Sequence, residues 1–150
     1  MGLDLGTHTG WARTDIAAGK GGVFMSGTWD FSPTRFDSPS TRYTKFGIEL
    51  RNHLTLGVDL IFYEKVHRHM GTAAAHAYGA FLNKLHETAD EFGVPYQGLS
   101  VQEIKKHATG KGNAKKAAMI EAARLWGYRP GSEDEADAIC ILKCGLETKL

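Results

Sequence analysis

The run Val58-Asp-Leu-Ile-Phe-Tyr-Glu64 constrains the fold more than any other segment of the chain. Leu60 to Tyr63 are consecutive apolar side chains, and since side chains alternate across a strand, both faces of this one need cover. The economical solution for 150 residues is one compact domain over residues 1–150 with a single core, in which this strand lies inside a sheet clad by helices on both faces.

The flanking segments supply the rest of such a sheet. Gly2 to Leu5, Gly10 to Ile16 and Val23 to Phe31 read as strands, and Ala-Gly-Lys-Gly-Gly at 18–22 supplies the turn of a hairpin. Tyr43, Phe46, Leu50 and Leu54 recur at helical spacing from Ser38 onward, and Gly57 ends that helix. An alanine-rich helix follows over Thr72 to Phe92, then a short strand over Val94 to Leu99. Ser100 and Glu103 have capping-box spacing for a helix that stops near Thr109-Gly110. Another helix spans Lys115 to Trp126, and Ser132 with Glu135 repeats the capping-box spacing for a last one running to Cys144. The expected class is α/β, a mixed five-stranded sheet with three antiparallel strands, then two parallel ones, and helices on both faces.

No apolar run approaches the ~20 residues of a membrane span, and no basic-then-apolar leader precedes Asp4, so a soluble cytoplasmic protein without a membrane partner is expected. Cys140 and Cys144, four apart on a helix, are expected to stay reduced in the core. The net charge of +1 conceals a segregation of sign: residues 101–130 carry seven Lys and Arg against two Glu, and residues 131–150 carry five acids against two Lys.

Four acids stand out. Asp4 interrupts the apolar strand Gly-Leu-Asp-Leu-Gly, where an unpaired carboxylate is costly if buried. Glu64 ends the most apolar strand on the same side of the pleat as Leu60 and Phe62. Asp134 and Asp137 share one face at the start of the last helix. Each has an ordinary explanation alone: a turn cap toward Thr7 for Asp4, a solvated strand end for Glu64, the helix dipole for the helix acids, and the dipole is preferred for Glu133 and Glu135. Together they suit a hard divalent cation, which relieves the repulsion between crowded carboxylates.

The opening Gly2-Leu-Asp-Leu-Gly-Thr-His-Thr-Gly-Trp-Ala, the isolated Glu64 and the motif Asp134-Glu-Ala-Asp-Ala resemble the RuvC Holliday-junction resolvases of the RNase H-like superfamily. Ile104-Lys105 and Gly110-Lys-Gly-Asn-Ala-Lys-Lys116 are similar to that family's basic loop, and the small size resembles its phage-encoded branch. The resemblance implies an RNase H-like fold in which Asp4, Glu64, Asp134 and Asp137 hold two Mg²⁺ ions, with Mn²⁺ substituting. It implies Lys105 and Lys116 near the scissile phosphate. The strand before Asp4 is shorter than the family's, and where the family carries an aromatic wedge this chain has His67, beside Arg68, whose imidazole can still stack on a base.

The implied activity is structure-selective DNA cleavage: two-metal hydrolysis of phosphodiester bonds in Holliday junctions and other branched DNA such as forks and flaps, in paired symmetric nicks. Lys116 adds charge at the transition state, while Lys105, Lys106, Lys111, Lys115, Arg124 and Arg129 neutralise phosphates. For a phage protein the compartment is the host cytoplasm. Three other readings stay open: a nuclease of the same fold acting on RNA, a non-catalytic scaffold for branched nucleic acid, and a phosphate-binding domain of the actin and sugar-kinase type, which Asp-Leu-Gly-Thr also resembles. Paired cuts imply a two-fold homodimer, with Ala73, Ala74, Ala77, Ala80 and Phe81 of the alanine-rich helix as the expected interface.

Overall fold

The computed structural model describes residues 1–14 and 24–150. Its elements are β1 (Gly2–Asp4), β2 (His8–Thr14), β3 (Phe24–Asp30), α1 (Thr41–Thr55), β4 (Ile61–Lys65), α2 (Thr72–Phe92), β5 (Tyr96–Ser100), α3 (Val101–Thr109), α4 (Lys116–Leu125) and α5 (Glu133–Thr148). The strands form one sheet in the order β3-β2-β1-β4-β5, antiparallel from β3 to β1 and parallel from β1 to β5, as the sequence predicts. The hairpin turn expected at 18–22 lies outside the described residues.

The apolar run of β4 is split between two cores. Ile61 and Tyr63 pack with Phe46, Leu50, Phe81 and Leu85 beneath α1 and α2, while Phe62 faces the opposite way into a cluster with Leu99, Ile104, Met119, Ile139 and Leu142 beneath α3, α4 and α5. The single core expected from chain length is therefore two clusters, because a sheet covered on both faces separates them with its own backbone.

Element ends differ from the sequence reading where long-range pairing or capping decides them. Strand β2 starts two residues early because His8 is the register partner of Asp30. The Ser100–Glu103 capping box forms in full, with both reciprocal bonds made. At α5 only half of one forms: Ser132 Oγ accepts from the Glu135 amide at 3.0 Å, but the Glu135 carboxylate accepts from Gly131 N at 2.8 Å and from Ser26 Oγ at 2.6 Å. Helix α5 runs past Cys144 to Thr148, its last turn tied by a Lys143–Glu147 pair at 2.7 Å. Both cysteines are free and buried, and burial pushes the Cys140 thiol up to about 12, so it stays a protonated core group.

Three glycines bring α5 down onto the sheet. A Cβ at Gly2 would stand 2.7 Å from the Ala138 carbonyl oxygen, one at Gly10 would overlap the Asp134 carbonyl, and one at Gly145 would enter the Phe62 ring. The helix thus crosses β1, β2 and β4 closer than side-chain packing allows, with its N-terminal turn over Gly10.

Candidate active site

Asp4 ends β1 and is the register partner of Gly10. By alternation it faces α5, like Gly2 two residues earlier, and the carbonyl of Asp134 lies directly over Gly10. Strands β1 and β4 are parallel, with Gly2 opposite Phe62 and Leu3 opposite Tyr63. One step further along, Asp4 and Glu64 stand on neighbouring strands, about 4.8 Å apart in the sheet, on the α5 face. Asp137, one turn along α5 from Asp134, completes the group. Four acids from three distant segments are brought to one corner of the fold.

The electrostatics follow from that placement. Burial pushes the Asp4 carboxyl well above the usual range, and the negative charges of Asp137, Glu64 and Asp134 push it further, with Lys116 opposing. Burial and Asp137 raise Glu64, against the pull of Lys105 and Lys116. Burial holds Asp137 at about 6, with Lys116 opposing and Asp134 adding to the rise. Among the described residues none of these four carboxylates accepts a hydrogen bond or joins an ion pair, Asp4 toward Thr7 included. Their helix neighbours do: Glu133 pairs with Lys116 at 3.0 Å, and Glu135 holds Ser26 and Gly131. The acids assigned to the helix dipole are thus engaged with other side chains or backbone, and those picked out as a cluster are not.

This donor set fits a divalent cation: all oxygen, repelled by one another, and accepting no hydrogen bond from the protein, with the Lys105 and Lys116 charges only partly offsetting the repulsion. Among the described residues no three His, Cys, Asp or Glu side chains stand at ligand distances.

Of the predicted basic residues, Lys105 and Lys116 act on the carboxylates from α3 and the start of α4, on opposite sides of the basic loop. Lys106, Lys111 and Lys115 are exposed and nothing ties them to the acids; Lys106 lies on another face of α3, near Ser100, Gln102 and Asn113. His67 and Arg68 are exposed in the loop after β4.

Sequence reasoning missed Tyr78. From α2 its hydroxyl donates to the Glu64 carbonyl at 2.7 Å and accepts from Val66 N at 3.2 Å, pinning the end of β4 and the root of the His67 loop. No local pattern marks a tyrosine that acts on a residue 14 positions earlier in the chain. Gly10 did carry a signal, since an isolated glycine inside a strand marks close backbone approach. Phe81, expected at a dimer interface, is fully buried against Tyr43, Phe46 and Phe31, because the helix rotates its largest apolar side chains toward α1. Ala73 and Ala74 are exposed, and Ala77 and Ala80 half-buried.

No family model matches the chain. Over 55 residues, 36% of this chain, it is 44% identical to the crossover junction endodeoxyribonuclease RuvC of two Anaeromyxobacter dehalogenans strains, and the match spans 30% of those relatives' length. Over 97% of its length it superposes on 90% of Thermus thermophilus RuvC solved in complex with a Holliday junction substrate, with TM-score 0.83 at 19% identity. A second Thermus thermophilus RuvC structure gives TM-score 0.74 at 20% identity, covering 97% of this chain and 91% of that one. The yeast mitochondrial Holliday junction resolvase Ydc2 gives 0.54 at 16%, covering 95% and 75%. The chain has the RuvC fold, as the resemblance implied.

Proposed function

We propose that this chain is a divalent-metal-dependent DNA endonuclease that resolves Holliday junctions and other branched DNA by paired symmetric nicks. One observation carries the reading: on a RuvC fold, Asp4 is half-buried among the charges of Asp137, Glu64 and Asp134, with no hydrogen-bond donor on its carboxylate. A cation would relieve the repulsion on a carboxylate in that setting, and a DNA backbone would meet it at the strand ends beside the α5 N-terminus.

Asp4, Glu64, Asp134 and Asp137 would hold the metal, two Mg²⁺ ions with Mn²⁺ as substitute. Such ions supply an activated water and charge for the leaving 3′ oxygen. The chain's own residues supply the rest. Lys116 brings an ammonium beside the carboxylates and, released from Glu133, meets the extra charge of the phosphate in the transition state. Lys105 does the same from α3. Lys106, Lys111, Lys115, Arg68 and His67 bind backbone and bases around the cut. Products would carry a 5′ phosphate and a 3′ hydroxyl. A homodimer formed through the outer face of α2 would set two such sites on strands of like polarity. No described helix is long and apolar enough to cross a membrane, consistent with work on DNA in a cytoplasm, that of a host if the protein is phage-encoded.

The deciding experiment incubates the protein in Mg²⁺ with a four-way junction, a fork, a linear duplex and a junction with ribonucleotide arms. Paired nicks near the branch point, with the linear duplex uncut, are expected. Junction binding without cutting would leave a scaffold, and preferential cutting of the ribonucleotide strands would leave an RNA-directed nuclease.

A further inference from the structure

The loop between β3 and α1 presents an aromatic side chain for which the fold has no use. Phe36 is 82% exposed, and the Arg35 guanidinium lies over its ring, 4.5 Å from the centroid. Exposed Leu or Met occurs on many surfaces, but a phenyl ring this exposed beside an arginine loses its burial energy and gains a face for stacking.

The loop holds this pair in place. Asp37 N donates to Thr34 O at 3.1 Å, and the Asp37 carboxylate accepts from Thr34 N at 2.8 Å and from Lys45 at 3.4 Å. The Phe36 amide is drawn to Thr34 Oγ1 at 3.4 Å. A closed turn with its own hydrogen bonds thus carries the ring outward without core contacts.

Its root joins the active-site edge. Phe31 N donates to Thr7 O at 2.8 Å, Arg42 reaches Thr7 Oγ1 at 3.3 Å, and Ser32 Oγ lies 3.4 Å from His8 Nε2. Thr7 ends the turn that follows Asp4 and His8 opens β2, so the loop leaves the sheet at the end where Asp4 and Glu64 emerge. Phe36 is four residues from Ser32, a reach of at most about 14 Å. The nearby charge is positive: Arg35 lies over the ring, Lys45 reaches Asp37 in the same turn and Arg42 reaches Thr7 at its root, while Asp37 is taken up by its own turn and Asp30 by Ser32 and His8.

We infer that Phe36 and Arg35 form a second DNA contact, in which the ring stacks on an unpaired base beside the branch point and the guanidinium meets the adjacent phosphate. This rests on the proposed action on branched DNA and adds a residue pair to it. A base needs a flat apolar face and its phosphate a nearby cation, and this turn offers both. A protein partner would need a broader apolar surface around Phe36, whereas its loop sets two exposed prolines, Pro33 and Pro39, among the polar Ser32, Thr34, Ser38 and Ser40 and the charged Arg35.

The test measures binding of a four-way junction carrying 2-aminopurine beside the branch point, with Mg²⁺ withheld, for the parent protein, Phe36→Ala and Phe36→Trp. Phe36→Ala should weaken junction binding about tenfold, in the range of one lost base–aromatic stack, and restore 2-aminopurine fluorescence, with binding of linear duplex and the melting temperature unchanged. Phe36→Trp should keep both affinity and quenching. Parental affinity and quenching in Phe36→Ala, with junction cleavage intact, would overturn the inference and leave the nuclease reading standing. Loss of quenching in Phe36→Ala, in a parent protein that binds junctions but cuts nothing in Mg²⁺, would support the stack and overturn the nuclease. No junction binding by the parent protein would overturn both.

Discussion

Gly10 on β2 lies directly beneath the carbonyl of Asp134, so close that a methyl group on Gly10 would occupy the same space. Gly10 is also the cross-strand partner of Asp4. A single glycine therefore sets the height of the α5 N-terminus above the carboxylate at the centre of the site.

Gly10→Ala should lift that end of α5. Overpacking of this kind costs about 1–3 kcal/mol, so thermal unfolding should shift down by several degrees while cleavage falls much further than stability accounts for. Parental activity in the variant would show that the helix height is not critical.

Asp4→Asn should abolish cleavage and leave junction binding intact, because it removes a ligand charge while keeping the side-chain size. Glu64→Gln, Asp134→Asn and Asp137→Asn should behave alike. Nicking by Asp4→Asn near the parental rate in Mg²⁺ would remove the tetrad from the chemistry.

The metal can be read without activity. Asp137 titrates at about 6 in the fold against an ordinary value near 3.8, so between those values the folded chain holds a proton that the unfolded chain releases. Its contribution to stability is favourable at low pH and is lost as pH rises through that window. In EDTA, Asp137→Asn should melt above the parent at pH 7.5 and level with it at pH 4. Millimolar Mg²⁺ at pH 7.5 should narrow or reverse the difference, since the parent gains more from binding. A gap that does not respond to pH or to Mg²⁺ would separate Asp137 from both burial and metal.

Lys116 is exposed, and its pair with Glu133 at 3.0 Å raises its affinity for a proton. Lys116→Ala should lower the single-turnover rate at least tenfold with little change in affinity. Lys111→Ala should weaken binding and flatten its salt dependence. Equal losses of affinity in both, with no effect on rate, would make Lys116 a general phosphate contact.

The dimer proposal can be probed on the outer face of α2. Gly79 is exposed on α2 in line with Ala73, His76 and Asn83, and a side chain there meets nothing within 4 Å in the monomer. Gly79→Glu should leave the fold intact and set like charges against each other across a two-fold axis, moving light scattering from twice 16.4 kDa to the monomer mass. A parent that is monomeric at micromolar concentration would refute the dimer and leave the metal chemistry untouched.

Local pattern alone determined the strands, the helices and the identity of the clustered acids. The alternation of Leu60 to Tyr63, the helical spacing of Tyr43, Phe46, Leu50 and Leu54, and the Ser100–Glu103 cap are short-range signals, and a short-range reading recovers them. Motif resemblance, also local, singled out Asp4, Glu64, Asp134 and Asp137. Contacts between distant segments decided the rest. Tyr78 reaches Glu64 from another element, Glu133 turns to Lys116 instead of only facing the helix dipole, and Phe81 points into the core because α1 lies on that side. The close approach of α5 depends on Gly2 and Gly10 in the sheet and Gly145 in the helix all falling at the contact, though they are scattered along the chain. Backbone propensity and side-chain period act over a few residues, whereas packing distance and charge coupling act through space, so only the folded chain brings Asp137, Glu64 and Asp134 close enough to Asp4 to raise its affinity for a proton.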